Sequence, residues 1–273
     1  MKRLCAVLAM VKDEEVFMPF WVKHYSKWFS PTDFYIHSDG TADNTLNLLP
    51  RGTNIIEVKD CDIPSVPPWP GKANDVYIKR VISNLLEDYE CVLFAESPDD
   101  IIVPSPAHDC DLLKYVEKFV DSDRNYEHLT CVNVTHDLAS NEAAYDVSKG
   151  TLLSQRTKMI RANQYDNAFL WKEIPWWQNG WHNLGPRVNN GKRLCGRGDG
   201  SLYNLHIHYA DYDLCNIRHT QRCNVFNETQ LKCYVHWTNQ QLKNVMCEMI
   251  SNPGKWFSEG AVLDLESWMK DVV

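Results

Sequence analysis

Residues 4 to 11, LCAVLAMV, form an unbroken apolar run. A strand covered by helices on both faces reads this way, so a buried parallel strand is predicted. Polar DEE follows. Then Val16, Phe17, Phe20, Trp21, Tyr25, Trp28 and Phe29 recur at steps of three and four, the period of an amphipathic helix. Asp13 to Glu15 would occupy its first turn, where acids suit the helix dipole, and Pro19 falls early enough to be accommodated. Residues 33 to 37 and 54 to 58 read as short strands, with Asp43 capping a short helix through Leu49. The stretch IPSVPPWPG (63–71) holds four prolines and is a loop. Residues 72 to 86 form a helix with Val76, Ile78, Val81, Ile82, Leu85 and Leu86 inward, and residues 90 to 95 a fourth strand.

Alternation of strand and helix implies a parallel sheet with right-handed crossovers. Ligands of such sheets bind beyond the carboxyl ends of the strands. Three polar turns, KDEE, HSDG and ESPDD, follow strands one, two and four, so all should share that edge. Further on, residues 107 to 120 look helical, 129 to 135 and 158 to 161 look like strands, and 201 to 209 alternate as a strand. Residues 228 to 250 and 261 to 272 read as helices. Residues 163 to 200 are rich in Trp, Gly and Asn and show no period.

Composition narrows the classes. A chain of 273 residues with 44% hydrophobic residues and ten tryptophans can bury one large core. A net charge of -8 and a pI near 5.7 argue against a nucleic-acid partner. No segment reaches 18 apolar residues, so no transmembrane segment is predicted. The short first apolar run lacks the features of an export signal. Ten scattered cysteines then read as reduced thiols in a cytoplasmic protein. There the sequons at Asn133 and Asn227 would stay unmodified.

Three groups carry candidate chemistry. Asp39 leaves a strand on a turn that Gly40 permits, where its carboxylate either accepts from a ribose or base or merely forms the turn. Glu96, Asp99 and Asp100 crowd one strand end. Like charges that close want a cation among them, and oxygen ligands of this kind favour Mg²⁺ or Mn²⁺ on a diphosphate. The alternative is a solvated acidic loop. His206 and His208 lie two apart on a strand and share a face, so one is a candidate metal ligand. Together with Cys215, Cys223, Cys233 and His236 they also raise zinc, but no CxxC pair supports it.

These stretches together resemble a GT-A glycosyltransferase close to family 2. AMVKDEEVFMPFWVKHY resembles the family's opening strand and Asn-Glu-Glu turn, with Asp13 in the Asn place. SDGTADNT resembles its Asp-x-Ser-x-Asp-x-Thr turn, and PGKANDVYIKRVI its Gly-Lys-Ala element. VLFAESPDDIIVP stands where the family carries an Asp-x-Asp metal motif. LHIHY resembles the His-Tyr element of related branches, and KMIRANQ with NGWHN their middle segment. The likeness is specific over residues 4 to 104 and looser to about 210.

The resemblance implies an α/β fold: a single GT-A, Rossmann-like domain with a mostly parallel central sheet flanked by helices. Residues 1 to 104 would form the nucleotide-binding half, 105 to 210 the acceptor half, and 211 to 273 a helical extension packed on them. It implies an inverting, metal-assisted transfer from a UDP- or GDP-sugar donor to a glycan or other hydroxyl acceptor, with Mn²⁺ or Mg²⁺ as cofactor. Lys12 and Glu14 would lie beside the nucleoside, Asp39 on the base or ribose, and Lys72 near the donor. Asp99 would be the main metal ligand, with His208 a further one. A plain Asp-x-Asp is absent, so Glu96 substitutes as a ligand, or metal binding is weakened or dispensed with. The general base lies well downstream in the family, where His182 and Asp199 stand. Trp171, Trp176, Trp177 and Trp181 would suit a sugar platform or the core. The rivals are a catalytically inert nucleotide-sugar or glycan binder on the same fold, and a metal-dependent phosphotransferase or hydrolase. No phosphate-cradling glycine loop supports the last.

Overall fold

A computed structural model describes residues 1–57, 72–161, 168–173, 188–189, 192–193, 200–225, 237–257 and 260–273. The strands are β1 (Arg3–Val11), β2 (Phe34–Ser38), β3 (Asn54–Glu57), β4 (Tyr89–Ala95), β5 (Asp100–Pro104), β6 (Tyr126–His128), β7 (Thr130–Thr135), β8 (Lys158–Arg161), β9 (Ala168–Trp171), β10 (Val188–Asn189), β11 (Lys192–Arg193), β12 (Leu202–His206) and β13 (Ala261–Asp264). The helices that position the site are α1 (Met18–Tyr25), α2 (Lys72–Asp88), α3 (Leu112–Val120) and α4 (Tyr212–Val225).

The fold is α/β and Rossmann-like. Its central sheet runs in the order β3-β2-β1-β4-β9-β6. The pairings from β3 through β4 are parallel, and β9 runs antiparallel to both of its neighbours. β1 lies inside this sheet, and the alternation of its side chains explains its continuous apolar sequence. Cys5, Val7, Ala9 and Val11 enter the layer with Trp21, Tyr25 and Phe119 of α1 and α3, whereas Ala6 and Leu8 join Ile78 and Ile82 of α2 on the other face.

A second sheet, β13-β8-β7-β12-β5, is mostly antiparallel. The turn between β4 and β5 carries the chain from one sheet to the other. Its Glu96 carbonyl accepts from Met10 N at 3.2 Å, and its Asp99 carbonyl accepts from Ile207 N at 2.9 Å. The acidic ESPD stretch is therefore the junction of the two sheets, and its burial follows from that position.

Several predicted elements need correction. Helix α1 begins at Met18, and no acid lies in its first turn. Asp13 takes a left-handed backbone with φ of 54°, and its carboxylate accepts from Ala42 N (2.8 Å) and Asp43 N (3.2 Å). These acids fasten the neighbouring loop instead of serving the helix dipole. The helix predicted over 107–120 starts only at Leu112, because Asp109 and Cys110 have positive φ and Asp111 caps the helix through Lys114 N at 2.9 Å. The helix predicted over 261–272 is strand β13 followed by a 3₁₀ turn at Ser267–Met269, since β8 offers a free edge on which Val262 registers with Ile160. A helix covers Asn239–Ser251, capped by Thr238 and Gln241; the earlier part of the 228–250 prediction lies outside the described residues. β5, β6 and β9 had no sequence signal of their own. Among the described residues no helix is long and apolar enough to cross a membrane, and the described cysteines are free thiols.

Helix α1 is tied to β5 by polar groups within the core. His24 pairs through Nε2 with the Ile102 carbonyl at 2.8 Å, and Tyr25 O–H donates to the Asp100 carbonyl at 3.1 Å. Burial pushes the His24 imidazole down from 6.5 to about 4. An unfolded chain therefore takes up this proton at higher pH than the folded one, so the contribution is complete above about pH 6.5 and is lost as pH falls toward 4. Urea titrations across that window should show stability falling with acidity. His24→Gln, which keeps a donor for Ile102, should flatten the slope; an unchanged slope would refute the assignment.

Candidate functional site

The loops after β1 and β2 are laced together by their own short polar side chains. Glu14 N donates to Thr45 Oγ1 at 2.7 Å, and Glu15 N donates to Asp43 Oδ2 at 3.0 Å. Asp43 Oδ1 accepts from Thr45 N at 2.9 Å, and Glu15 Oε2 accepts from Asn44 N at 3.1 Å. Asp43 thus holds both its own turn and the neighbouring loop. Outside this lacing, Lys12 Nζ donates to the Asp39 carbonyl at 3.0 Å and stands 3.7 Å from its carboxylate. Asp39 keeps 59% of its side chain exposed, an open position on the rim.

Inward from that rim lies a buried charge cluster. Asp99, on the turn leaving β4, is 2% exposed. Its Oδ2 lies 3.0 Å from His208 Nδ1 and 3.4 Å from His206 Nε2. The two imidazoles stack with ring centres 5.8 Å apart and planes within 8°. His206 donates from Nδ1 to Asn133 Oδ1 at 2.7 Å, which turns Nε2 toward Asp99. Arg218, from α4, pairs with Asp99 Oδ2 through one terminal nitrogen and with Glu14 Oε1 through the other. It also donates to Ser97 Oγ at 3.1 Å, and its guanidinium lies 5.2 Å from the Phe17 ring centre.

Electrostatics follow from this geometry. Burial works against ionisation of Asp99, but the Arg218 and His206 charges outweigh it and hold the carboxyl well below its usual range. Burial and the Arg218 charge push His208 down to about 3, leaving a neutral ring. Burial lowers His206 too, yet the Asp99 carboxylate outweighs it and raises this imidazole. Asp100 plays a different part. Its oxygens accept from Asn204 Nδ2 (2.6 Å) and Ser97 N (3.2 Å), and burial lifts it to about 6.

The placement of Arg218 is itself engineered by a second buried network. Asp211 accepts from Leu214 N (3.0 Å) at the start of α4, from Tyr145 N (2.8 Å) and from Arg156 (2.6 Å). His136 Nδ1 accepts from Tyr212 N at 3.1 Å. One turn beyond Arg218, Gln221 donates to Glu15 Oε1 at 2.5 Å and docks the helix on the β1 loop.

The sequence-predicted residues divide accordingly. Lys12 and Asp39 meet at the rim; Glu14, Asp99 and His208 meet in the buried cluster, with His206 beside them. Asp99, His206 and His208 could hold a metal ion, one ligand atom from each lying within 4.8 Å of the others, and Glu96 is outside that group. Lys72 opens α2. Its side chain lies outside the described residues, as do His182 and Asp199. Trp171 belongs to the core and not to a sugar platform: it is 2% exposed, with its ring 5.6 Å from Tyr126. Trp176, Trp177 and Trp181 lie outside the described residues. Cys215 packs with Leu242 and Met246 and is not in the one possible metal-holding group among the described residues, while Cys233, His236 and the Cys223 side chain lie outside them. Arg218 had no sequence signal, being one of several basic residues on a helix without a motif.

No protein-family model matches the chain, and no curated protein matches it. Solved structures similar to part of the chain include two. One, described as a mycobacterial protein, is 20% identical with a TM-score of 0.33, over 48% of this chain and 42% of its own. The other is glucosyl-3-phosphoglycerate synthase from Mycobacterium tuberculosis, solved with Mn²⁺, UDP and glucosyl-3-phosphoglycerate. It is 18% identical with a TM-score of 0.32, over 47% of this chain and 44% of its own. The chain thus spans less than half the length of each.

Removing the guanidinium leaves two buried carboxylates facing each other. Arg218→Met should therefore cost about 3–5 kcal/mol in urea unfolding with chelator present. Adding Glu14→Gln and Asp99→Asn to that variant should recover much of the loss; failure to do so would show that the guanidinium acts chiefly through packing.

Proposed function

We propose that this chain is a glycosyltransferase that uses a nucleotide-diphosphate sugar, with its donor site at the carboxyl edge of the central sheet. The observation that carries this reading is the convergence of the β1, β2 and β4 turns around Asp99, with two imidazoles aimed at its carboxylate. A carboxylate with two imidazoles suits a divalent transition ion such as Mn²⁺ better than Mg²⁺, which prefers oxygen. Asp99, His206 and His208 would hold the ion, and Asn133 orients one imidazole from behind. When bound, the ion would supply positive charge to the leaving diphosphate.

Around it, Lys12 and Asp39 are assigned to the nucleoside, where the exposed carboxylate accepts hydrogen bonds from a ribose or base. Glu14 anchors Arg218 from beneath, and Lys72 is assigned to the donor. UDP- or GDP-sugars are the donor class, and a glycan or other hydroxyl the acceptor. Residues 1 to 104 form the nucleotide-binding half and 105 to 210 the acceptor half in this reading. Inversion requires a general base on the acceptor hydroxyl, and His182 and Asp199 are the candidates. A second reading, an inert nucleotide-sugar binder, draws support from Ser97 in place of a first motif carboxylate and from the guanidinium already on Asp99.

A thermal-shift screen of UDP-, GDP-, CMP- and dTDP-sugars tests this. A UDP or GDP compound with Mn²⁺ should raise Tm beyond either alone, and Asp99→Ala should abolish the metal-dependent part. Slow release of nucleoside diphosphate would mark a transferase, and binding without release the inert form. No stabilisation by any nucleotide would refute both. Asp39→Asn should weaken donor binding by about 1 kcal/mol, the scale of one hydrogen bond, without altering Mn²⁺ binding in calorimetry.

A further inference from the structure

Asp99 Oδ2 and His208 Nδ1 are 3.0 Å apart, and both present lone pairs in the imidazole tautomer that carries its proton on Nε2, the one able to accept from the Arg218 guanidinium. Two acceptors that close repel unless something positive lies between them. Arg218 supplies it: one terminal nitrogen of its guanidinium contacts both atoms. That nitrogen stands where a cation shared by Asp99 and His208 would stand. The other terminal nitrogen is held by Glu14 Oε1 and by Ser97 Oγ. Ser97 also donates to Asp99 Oδ1. A hydroxyl at this position therefore bridges carboxylate and guanidinium, where a second carboxylate would have added charge.

Glu14 and Asp99 both pair with the guanidinium, in a setting where Arg218, Glu14 and Asp99 are each 2% exposed. A divalent ion entering with the guanidinium still seated would bring like charges into contact away from water.

We propose that Arg218 and a divalent cation are alternative occupants of one position, so that Arg218 sets the metal affinity of the site. Seated, the guanidinium fills the cation's place; displaced, it leaves Asp99, His206 and His208 to bind the ion. The inference rests on the metal assignment made above and not on the sugar chemistry. Apparent metal affinity is then scaled down by the fraction of molecules in which Arg218 is displaced.

Calorimetry and Mn²⁺ electron paramagnetic resonance on the full chain, without nucleotide, test it. Arg218→Met should bind Mn²⁺ about tenfold or more tightly than the wild type. Mn²⁺ should also raise the Tm of that variant, and adding Asp99→Asn should remove both effects. Glu14→Gln loosens one anchor of the guanidinium without touching a donor atom. It should shift affinity in the same direction by less, and it serves if Arg218→Met does not fold. Equal affinity in wild type and variants, weaker binding in the variants, or no Mn²⁺ binding by any of them would overturn the proposal. A chain that shows the exchange yet binds no nucleotide sugar would keep this inference and remove the transferase reading.

Discussion

A buried guanidinium shared by two carboxylates from different strand ends holds this site together. Arg218 reaches from α4 to Glu14 on the β1 turn and to Asp99 on the turn leaving β4. Neither acid would be tolerated ionised and alone at that depth. The cluster consequently ties three segments distant in sequence into one arrangement, and removing any member exposes the others to an uncompensated desolvation cost.

That constraint is served from two sides. On one side, Asp13, Glu15, Asp43 and Thr45 lace the first two loops with backbone hydrogen bonds, so Glu14 enters the cluster from a fixed backbone. On the other, Arg156 and Asp211 fix the first turn of α4, so Arg218 arrives at a fixed height. Catalytic and metal sites require this sort of support, since a small misplacement of a charge in a dry setting changes its interaction strongly. The division between an exposed rim, with Lys12 and Asp39, and a buried floor, with Asp99 and Arg218, suits a ligand that has one solvated end and one highly charged end.

Local pattern carried the first half of the chain well. The continuous apolar run of β1 and the periodic residues of α1 and α2 point to a parallel, helix-covered sheet, because burial on both faces leaves an unmistakable mark. The second sheet was legible in part: β7, β8 and β12 carried strand patterns, but β5 did not, and β13 has a pattern a helix could also use. In the central sheet, β6 and β9 are short strands that pair across long sequence separations and left no pattern of their own. His206 and His208 were found from their spacing, and Asp99 from its acidic neighbours. Arg218 was not found, because nothing near it in sequence records that it meets Asp99 across 119 positions.

By itself the sequence determined the α/β class and the shared edge of the three polar turns, and it marked Asp99 and a histidine as candidate ligands that the fold does bring together. Those follow from periodicity and from residue types whose chemistry is narrow. Only the tertiary structure decided which charge faces Asp99, which tryptophan is core, and which acids lace loops instead of capping a helix. These are settled by long-range juxtaposition, where burial sets the strength of each charge and a partner distant in the chain sets its sign.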